Sequence, residues 1–256
     1  MQRRSTDAKN APIALFDSGA GGIGVLREVQ KLLPREQLLY FGDSRNAPYG
    51  ERSAADILQL TLDAAAELLE HAKALLLACN TATAVAAEAL RAKYPQTPII
   101  GMEPALIPTL SLSPHPFVLV LATTATLQGE KFLRLRKKCE KSATVMPLSA
   151  PGIVRLVEAG LADSAEMDAY LRSLFSALPA RPDAVVLGCT HFPFAKNALR
   201  RALGNVPFFD GAIGAAKELH RRLKAADLLS DANSGGITFA ASAPSALPLL
   251  LRLYEA

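Results

Sequence analysis

Val185-Val186-Leu187-Gly188-Cys189-Thr190-His191 is a short apolar run that ends in a thiol, a hydroxyl and an imidazole. Leu75-Leu76-Leu77-Ala78-Cys79-Asn80-Thr81 has the same order, with its cysteine 110 positions earlier. Each run is too short to be anything but a buried strand or part of a core helix. Read as strands of parallel sheets, both carry the cysteine to the carboxyl end, where open α/β folds bind their ligands. Two such thiols, one from each half of the chain, suit a two-base proton exchange at one carbon. A lone cysteine is more often a small buried hydrophobe. Cys139, in Arg136-Lys137-Lys138-Cys139-Glu140-Lys141, is read as an ordinary helix-surface or helix-end residue. The doubled pattern sets Cys79 and Cys189 apart.

Working outward from these runs, strand and helix patterns alternate along the chain. Strands are expected at Ile13 to Phe16, Leu38 to Phe41, Leu75 to Ala78 and Pro98 to Met102, with helices between them and Ser53 capping the longest. A second cycle opens at Phe117 to Ala122. A basic helix from about Gln128 to Lys141 follows, then strands near Thr144 to Leu148, Ala184 to Gly188 and Val206 to Phe209. A helix from about Ala212 to Leu229, a surface loop over Ser230 to Gly236, a strand at Ile237 to Ala241 and a last helix after Pro244 finish the chain. Such alternation predicts parallel sheets built of βαβ units. Leu15-Phe16-Asp17-Ser18 aligns loosely with Leu121-Ala122-Thr123-Thr124, an offset of 106 close to that of the cysteines. An internal duplication into two similar α/β halves facing across a cleft follows from that reading.

Composition bounds the function. Of 256 residues half are hydrophobic, 6% are aromatic and none is Trp, with a net charge of +4. The positive charges lie on helix faces such as Lys131 to Lys141 and Arg221 to Lys224, which read as solvated surfaces rather than a nucleic-acid footprint. Three cysteines without C-x-x-C spacing argue against a disulfide framework and a structural zinc site, and for a reducing compartment. The first ten residues are polar, and no apolar run has signal-peptide or membrane-spanning length. A soluble, cytoplasmic protein without a structural zinc site is expected.

Several polar residues cluster at the ends of the expected strands. Asp17-Ser18-Gly19-Ala20-Gly21-Gly22 turns the first strand into a helix, and its backbone N–H groups favour an anion. It fits neither a dinucleotide fingerprint nor a P-loop, so a carboxylate suits it better than a nucleotide. Gly42-Asp43-Ser44 and Ala47-Pro48-Tyr49-Gly50 form a loop at the same edge. Asn80, Thr81 and Thr83 surround the first thiol, Thr190 and His191 follow the second, and Thr123, Thr124 and Thr126 sit at the corresponding edge of the second half. Many small hydrogen-bonding groups and few cations suit an amino-acid zwitterion. His191 is placed to shuttle a proton with Cys189, and Asp17 to do so with Cys79. Glu158 is a candidate partner behind Cys189, although a helical Glu is more often merely exposed. His71, His115 and His220 are read as structural or solvent-facing.

These motifs resemble the glutamate racemases of the cofactor-independent aspartate/glutamate racemase superfamily. The resemblance runs from about Ile13 to Leu229 and rests on Phe16-Asp17-Ser18-Gly19 with Gly21-Gly22, Gly42-Asp43 with Pro48-Tyr49-Gly50, Ala78-Cys79-Asn80-Thr81, and Gly188-Cys189-Thr190-His191-Phe192-Pro193. Ala122, Gly24, Gly129 and Phe132 depart from the usual pattern. The resemblance implies two Rossmann-like parallel-sheet domains related by pseudo-twofold symmetry, residues 1–99 with 211–256 and residues 100–210, with the active site in the cleft between them. It implies interconversion of L- and D-glutamate, supplying D-glutamate for peptidoglycan. Cys79 and Cys189 would be the acid/base thiols, assisted by Asp17 and by His191 with Glu158 behind it. Ser18, Pro48, Tyr49, Gly50, Asn80, Thr81, Thr126 and Thr190, with Asp17, would bind substrate. A cell-wall-precursor effector and a homodimer are among the partners it allows. Aspartate racemisation, another cysteine-based isomerase, and a non-catalytic two-lobed amino-acid-binding protein are the alternatives.

Overall fold

The computed structural model describes residues 5–255. The chain runs α1 (Ser5–Asn10), β1 (Ile13–Asp17), α2 (Ile23–Leu32), β2 (Gln37–Gly42), α3 (Ala54–Leu69), β3 (Ala74–Leu77), α4 (Asn80–Lys93) and β4 (Ile99–Gly101). It continues through β5 (Phe117–Ala122), α5 (Thr124–Gln128), α6 (Glu130–Cys139), β6 (Thr144–Ser149), α7 (Pro151–Glu158), α8 (Ala165–Phe175), β7 (Ala184–Gly188), α9 (Lys196–Leu203) and β8 (Phe208–Asp210). It ends with α10 (Ala212–Ala225), β9 (Gly236–Ala241) and α11 (Leu247–Glu255). Two compact units result, one of Met1–Met102 with Ala212–Ala256 and one of Glu103–Gly211.

Each unit holds one wholly parallel sheet, so the chain is α/β with two parallel-sheet domains. The first unit orders its strands β4-β3-β1-β2-β9 and the second β6-β5-β7-β8. Every residue of β1 and of β7 is buried. This is what a strand covered by helices on both faces requires, and it is why these segments read as unbroken apolar runs. The chain leaves β1 for β2 on one side and then crosses to β3 on the other. In the second unit it leaves β5 for β6 and crosses to β7. Both sheets therefore change direction beside their first strand, at β1/β3 and at β5/β7. In open α/β sheets that is where the carboxyl ends part and a ligand can enter.

Some expectations are corrected. One basic helix was expected from about Gln128 to Lys141, but Gly129 adopts an extended conformation (φ −63°, ψ 133°) and separates α5 from α6. Cys139 ends α6 but is fully buried rather than on the surface. The apolar stripe of that basic helix turns it and Phe132 into a cluster with Val118, Val120, Val145 and Val186. The Ser230 to Gly236 loop does leave Asp231, Asn233 and Ser234 exposed, but it is anchored at Ser230, which is buried and whose N–H donates to Glu36 Oε1 at 2.8 Å. α10 stops at Ala225, ahead of Asp227 in the left-handed region (φ 52°). The polar N-terminus contributes a helix over Ser5–Asn10, and residues 1–4 lie outside the described residues.

Candidate active site

In the first unit, β1 ends at Asp17 and β3 is followed by Ala78 and Cys79. Ala78 N–H donates to Phe16 C=O at 2.7 Å, which extends the pairing of the two strands up to the thiol. Cys79 then caps the fourteen-residue α4: its Sγ accepts the Ala82 N–H at 3.5 Å. The Ser18 hydroxyl lies 3.4 Å from the same sulfur. An N–H at a helix N-terminus and a hydroxyl both favour negative charge on sulfur. Asp17 is completely buried, and its Oδ1 accepts the Gly19 N–H at 2.7 Å. That bond closes the glycine-rich turn around the carboxylate. Gly22 permits it, because a Cβ there would lie 2.9 Å from Asp17 Cβ and 3.0 Å from Ala78 Cβ.

Asn80 and Thr81 open α4 and are both buried. Among the described residues, neither the Oδ1 nor the Nδ2 of Asn80 meets a hydrogen-bond partner. A buried, unsatisfied amide costs free energy unless a ligand completes it. An amino acid can do so, offering a carboxylate to Nδ2 and an ammonium to Oδ1. Thr83, expected among these donors, has a structural task instead. Its Oγ1 accepts the Met102 N–H at 3.0 Å and donates to Leu77 C=O at 3.3 Å, which ties the end of β4 to β3.

The loop after β2 closes the same edge. Asp43 N–H donates to Asp17 C=O at 2.9 Å. The Ala47–Pro48 peptide is cis, and Tyr49–Glu51 forms a single 3-10 turn. Tyr49 is buried and donates its hydroxyl to Asp43 Oδ2 at 2.7 Å. Burial, then the Asp43 hydrogen bond and the negative charges of Asp43 and Cys79, hold the phenol far above its usual pKa. Tyr49 therefore stays protonated. Asp43 stands in the loop motif, but nothing in the sequence marks its side chain as a buried acceptor.

In the second unit, Cys189 and Thr190 follow β7 and are buried. Gly188 lets β7 lie close to β5, because a Cβ there would meet Ala122 Cβ and Leu121 C=O at 3.0 Å. His191 Nδ1 is 3.8 Å from Cys189 Sγ, and its Nε2 is 2.5 Å from Glu158 Oε1 at the end of α7. Glu158 is thus no merely exposed helical residue. Burial alone would lower the His191 pKa, but its bonds to Cys189 and Glu158 and their charges outweigh burial and hold it well above the usual value. Thr123 caps α5, its Oγ1 donating to Thr126 Oγ1 at 3.0 Å, and both are buried. Thr124 and Ser149 pair their hydroxyls at 2.8 Å beside them. His71 and His115 are exposed and His220 is half-buried. Among the described residues no three or more His, Cys, Asp or Glu side chains are grouped to hold a metal, and no helix is long and apolar enough to cross a membrane.

Two thiols thus follow strands at the switch points of two sheets of like topology, each with its own hydrogen-bonding neighbours. The Asp/Glu/Hydantoin racemase family model matches residues 23–219. The chain is 42% identical over 230 residues to a glutamate racemase of Clostridium acetobutylicum, covering 89% of this chain and 90% of that one. This chain belongs to the Asp/Glu/Hydantoin racemase family, in its glutamate racemase branch. Among solved structures, Francisella tularensis glutamate racemase in complex with D-glutamate matches with a TM-score of 0.84 at 27% identity, covering 97% of this chain and 95% of that one. The Escherichia coli glutamate racemase in complex with L-glutamate and the activator UDP-MurNAc-ala matches with a TM-score of 0.77 at 29% identity, covering 96% and 94%. The racemase is an enzyme with relatives whose complexes hold each enantiomer of glutamate.

Proposed function

We propose that this racemase interconverts L- and D-glutamate without a cofactor, by a two-base mechanism in which Cys79 and Cys189 serve opposite faces of the α-carbon. The observation that carries the reading is the placement of two separate thiols, each at the switch point of its own sheet and each with its own proton partners. The thiolate Sγ of one cysteine removes the α-proton. The thiol of the other delivers its proton to the opposite face, leaving the inverted amino acid and a thiolate/thiol pair with roles exchanged. Ser18 and the Ala82 N–H support the charged form of Cys79, while His191, held by Glu158, exchanges a proton with Cys189. Asp17 is the proton partner assigned to Cys79.

An α-proton is far less acidic than a thiol, so the carbanion needs placed donors and exclusion of water. The amide of Asn80 and the hydroxyls of Ser18, Thr81, Thr126 and Thr190 supply donors to the substrate. The turn through Pro48, Tyr49 and Gly50 supplies backbone contacts. We further assign the protein to the cytoplasm and its product to peptidoglycan synthesis. A cell-wall precursor is the effector to test, given the activator bound by the E. coli relative.

Purified protein incubated with L-glutamate in deuterated buffer tests the reading, with circular dichroism and the α-proton NMR signal followed together. Loss of ellipticity as deuterium enters the α-position is expected, abolished in Cys79→Ala and in Cys189→Ala, while aspartate samples set the specificity. Folded protein that changes neither acid would remove the proposal and favour a binding protein.

A further inference from the structure

Asp43 is 4% exposed, and the Asn46 amide and Tyr49 hydroxyl that donate to its carboxylate are neutral. Asn46 Nδ2 donates to both of its oxygens at 3.0 Å, and the Tyr49 hydroxyl donates to Oδ2 at 2.7 Å. Its own backbone is tied at both ends, the N–H to Asp17 C=O at 2.9 Å and the C=O accepting the Asn46 N–H at 3.1 Å. One buried acceptor thus gathers the end of β2, the first turn of the loop and the ring of Tyr49. That ring packs against Phe16 of β1 at 6.2 Å between centroids, and the Tyr49–Glu51 turn lies against α4, the helix that Cys79 opens. Tyr49 also lies within electrostatic reach of the Cys79 sulfur. The outer side of the loop has an exposed brace, Arg52 Nε donating to Asn46 C=O at 2.5 Å.

We infer that Asp43 is a positioning residue, whose buried carboxylate holds Tyr49 and through it the Tyr49–Glu51 turn against the Cys79 thiol. The inference rests on the proposed racemisation for its kinetic consequence, but not for its geometry. A buried carboxylate is costly to keep without strong partners. Here the partners are a phenol that does not ionise in the working range and a loop amide, so the hydrogen bonds stand whatever the protonation state of the thiol. Since the turn contributes substrate contacts and the proton-transferring groups lie on other segments, loosening it removes binding shared by ground state and transition state. That raises KM and leaves kcat nearly alone.

Asp43→Ala, Asp43→Asn, Tyr49→Phe and the double variant Asp43→Ala/Tyr49→Phe test this in the full chain. The rate at which iodoacetamide labels Cys79 and Cys189 is read separately by peptide mass spectrometry, alongside glutamate kinetics. Losing a hydrogen bond to a charged group is expected to speed labelling of Cys79 about tenfold and raise KM by a similar factor. Cys189 labelling and kcat should stay within about threefold. Because both residues act through one bond, the double variant should be no worse than Asp43→Ala alone. Unchanged Cys79 labelling in folded variants overturns the inference, as does equal acceleration at both thiols. If Asp43→Ala does not fold, Tyr49→Phe decides, because it removes only a hydroxyl. If the wild type leaves glutamate unchanged, the racemase reading falls while the labelling rates still decide the role of Asp43.

Discussion

Burial alone would disfavour a charged imidazole at His191, yet Cys189 on one side and Glu158 on the other hold its pKa well above 6.5. Both partners follow from chain placement: the thiol two residues back on the same loop, the carboxylate at the end of α7. If the proton on His191 is what recharges Cys189, the alkaline limb of kcat/KM reports that proton in the free enzyme. Glu158→Gln keeps the shape and removes the charge, so this limb should move about one unit toward lower pH. A limb that stays in place would show that His191 does not supply the proton. Stability gives an independent check. A folded pKa above the unfolded one means that folding takes up a proton, so this contribution is complete below about pH 6.5 and fades as pH rises through the higher folded value. The Tm difference between wild type and His191→Asn should therefore be widest near the bottom of that window and narrow above it. A gap that widens with pH would contradict the raised pKa.

At the scale of elements, Gly22 and Gly24 lie two residues apart and should respond oppositely to the same substitution. A Cβ at Gly22 would press on Asp17 Cβ, Ala78 Cβ and the Tyr40 hydroxyl, the first two fixed to backbone, whereas nothing lies within 4 Å of a Cβ at Gly24. Gly22→Ala should cost about 1–3 kcal/mol and reduce activity by shifting Asp17. Gly24→Ala, inside α2, should stabilise by about 0.5–1 kcal/mol and leave activity unchanged. Urea unfolding midpoints with rate assays measure both, and equal shifts would refute the steric account. The strands were legible because a strand covered on both faces must be an unbroken apolar run, as at Ala74–Leu77 and Ala184–Gly188. Cys79 and Cys189 could be singled out because each follows the end of such a run, and His191 because it lies two residues from the second thiol. What was not legible depended on partners distant in sequence. The break at Gly129 is a backbone choice within a helical pattern, and the burial of Cys139 depends on strands beneath a helix that reads as basic. Thr83 reads as a ligand donor until Met102, just after β4, supplies an N–H for it to accept.

Over the whole molecule, the two sheets share one strand order around their first strand, and the first gains β9 as an added edge when the chain returns. That return is secured at the opposite end of the first unit's sheet from the Cys79 thiol. Lys73, just before β3, pairs with Glu36, just before β2, at 2.5 Å, with side chains 2% and 3% exposed. Lys73 Nζ also donates to Lys9 C=O of α1, and Glu36 Oε1 accepts Ser230 N–H from the loop ahead of β9. Nothing in the sequence marks this pair, because a Lys and a Glu 37 positions apart look like any two surface charges. One buried ion pair thus joins four separate segments, and its value lies in completeness: removing one member strands the other charge without solvent. Lys73→Met should therefore destabilise by about 3–5 kcal/mol. Adding Glu36→Gln removes the stranded charge and keeps an acceptor for the Ser230 N–H, so the double variant should recover about half of the loss. Chemical denaturation measures both, and a double variant no more stable than Lys73→Met would show that lost packing, rather than unpaired charge, sets the cost. Since the pair sits at the amino ends of β2 and β3, kcat below the unfolding transition should match the wild type in both variants. A fall in kcat without unfolding would mean that this anchor also sets the position of the strand ends that carry Asp17 and Cys79.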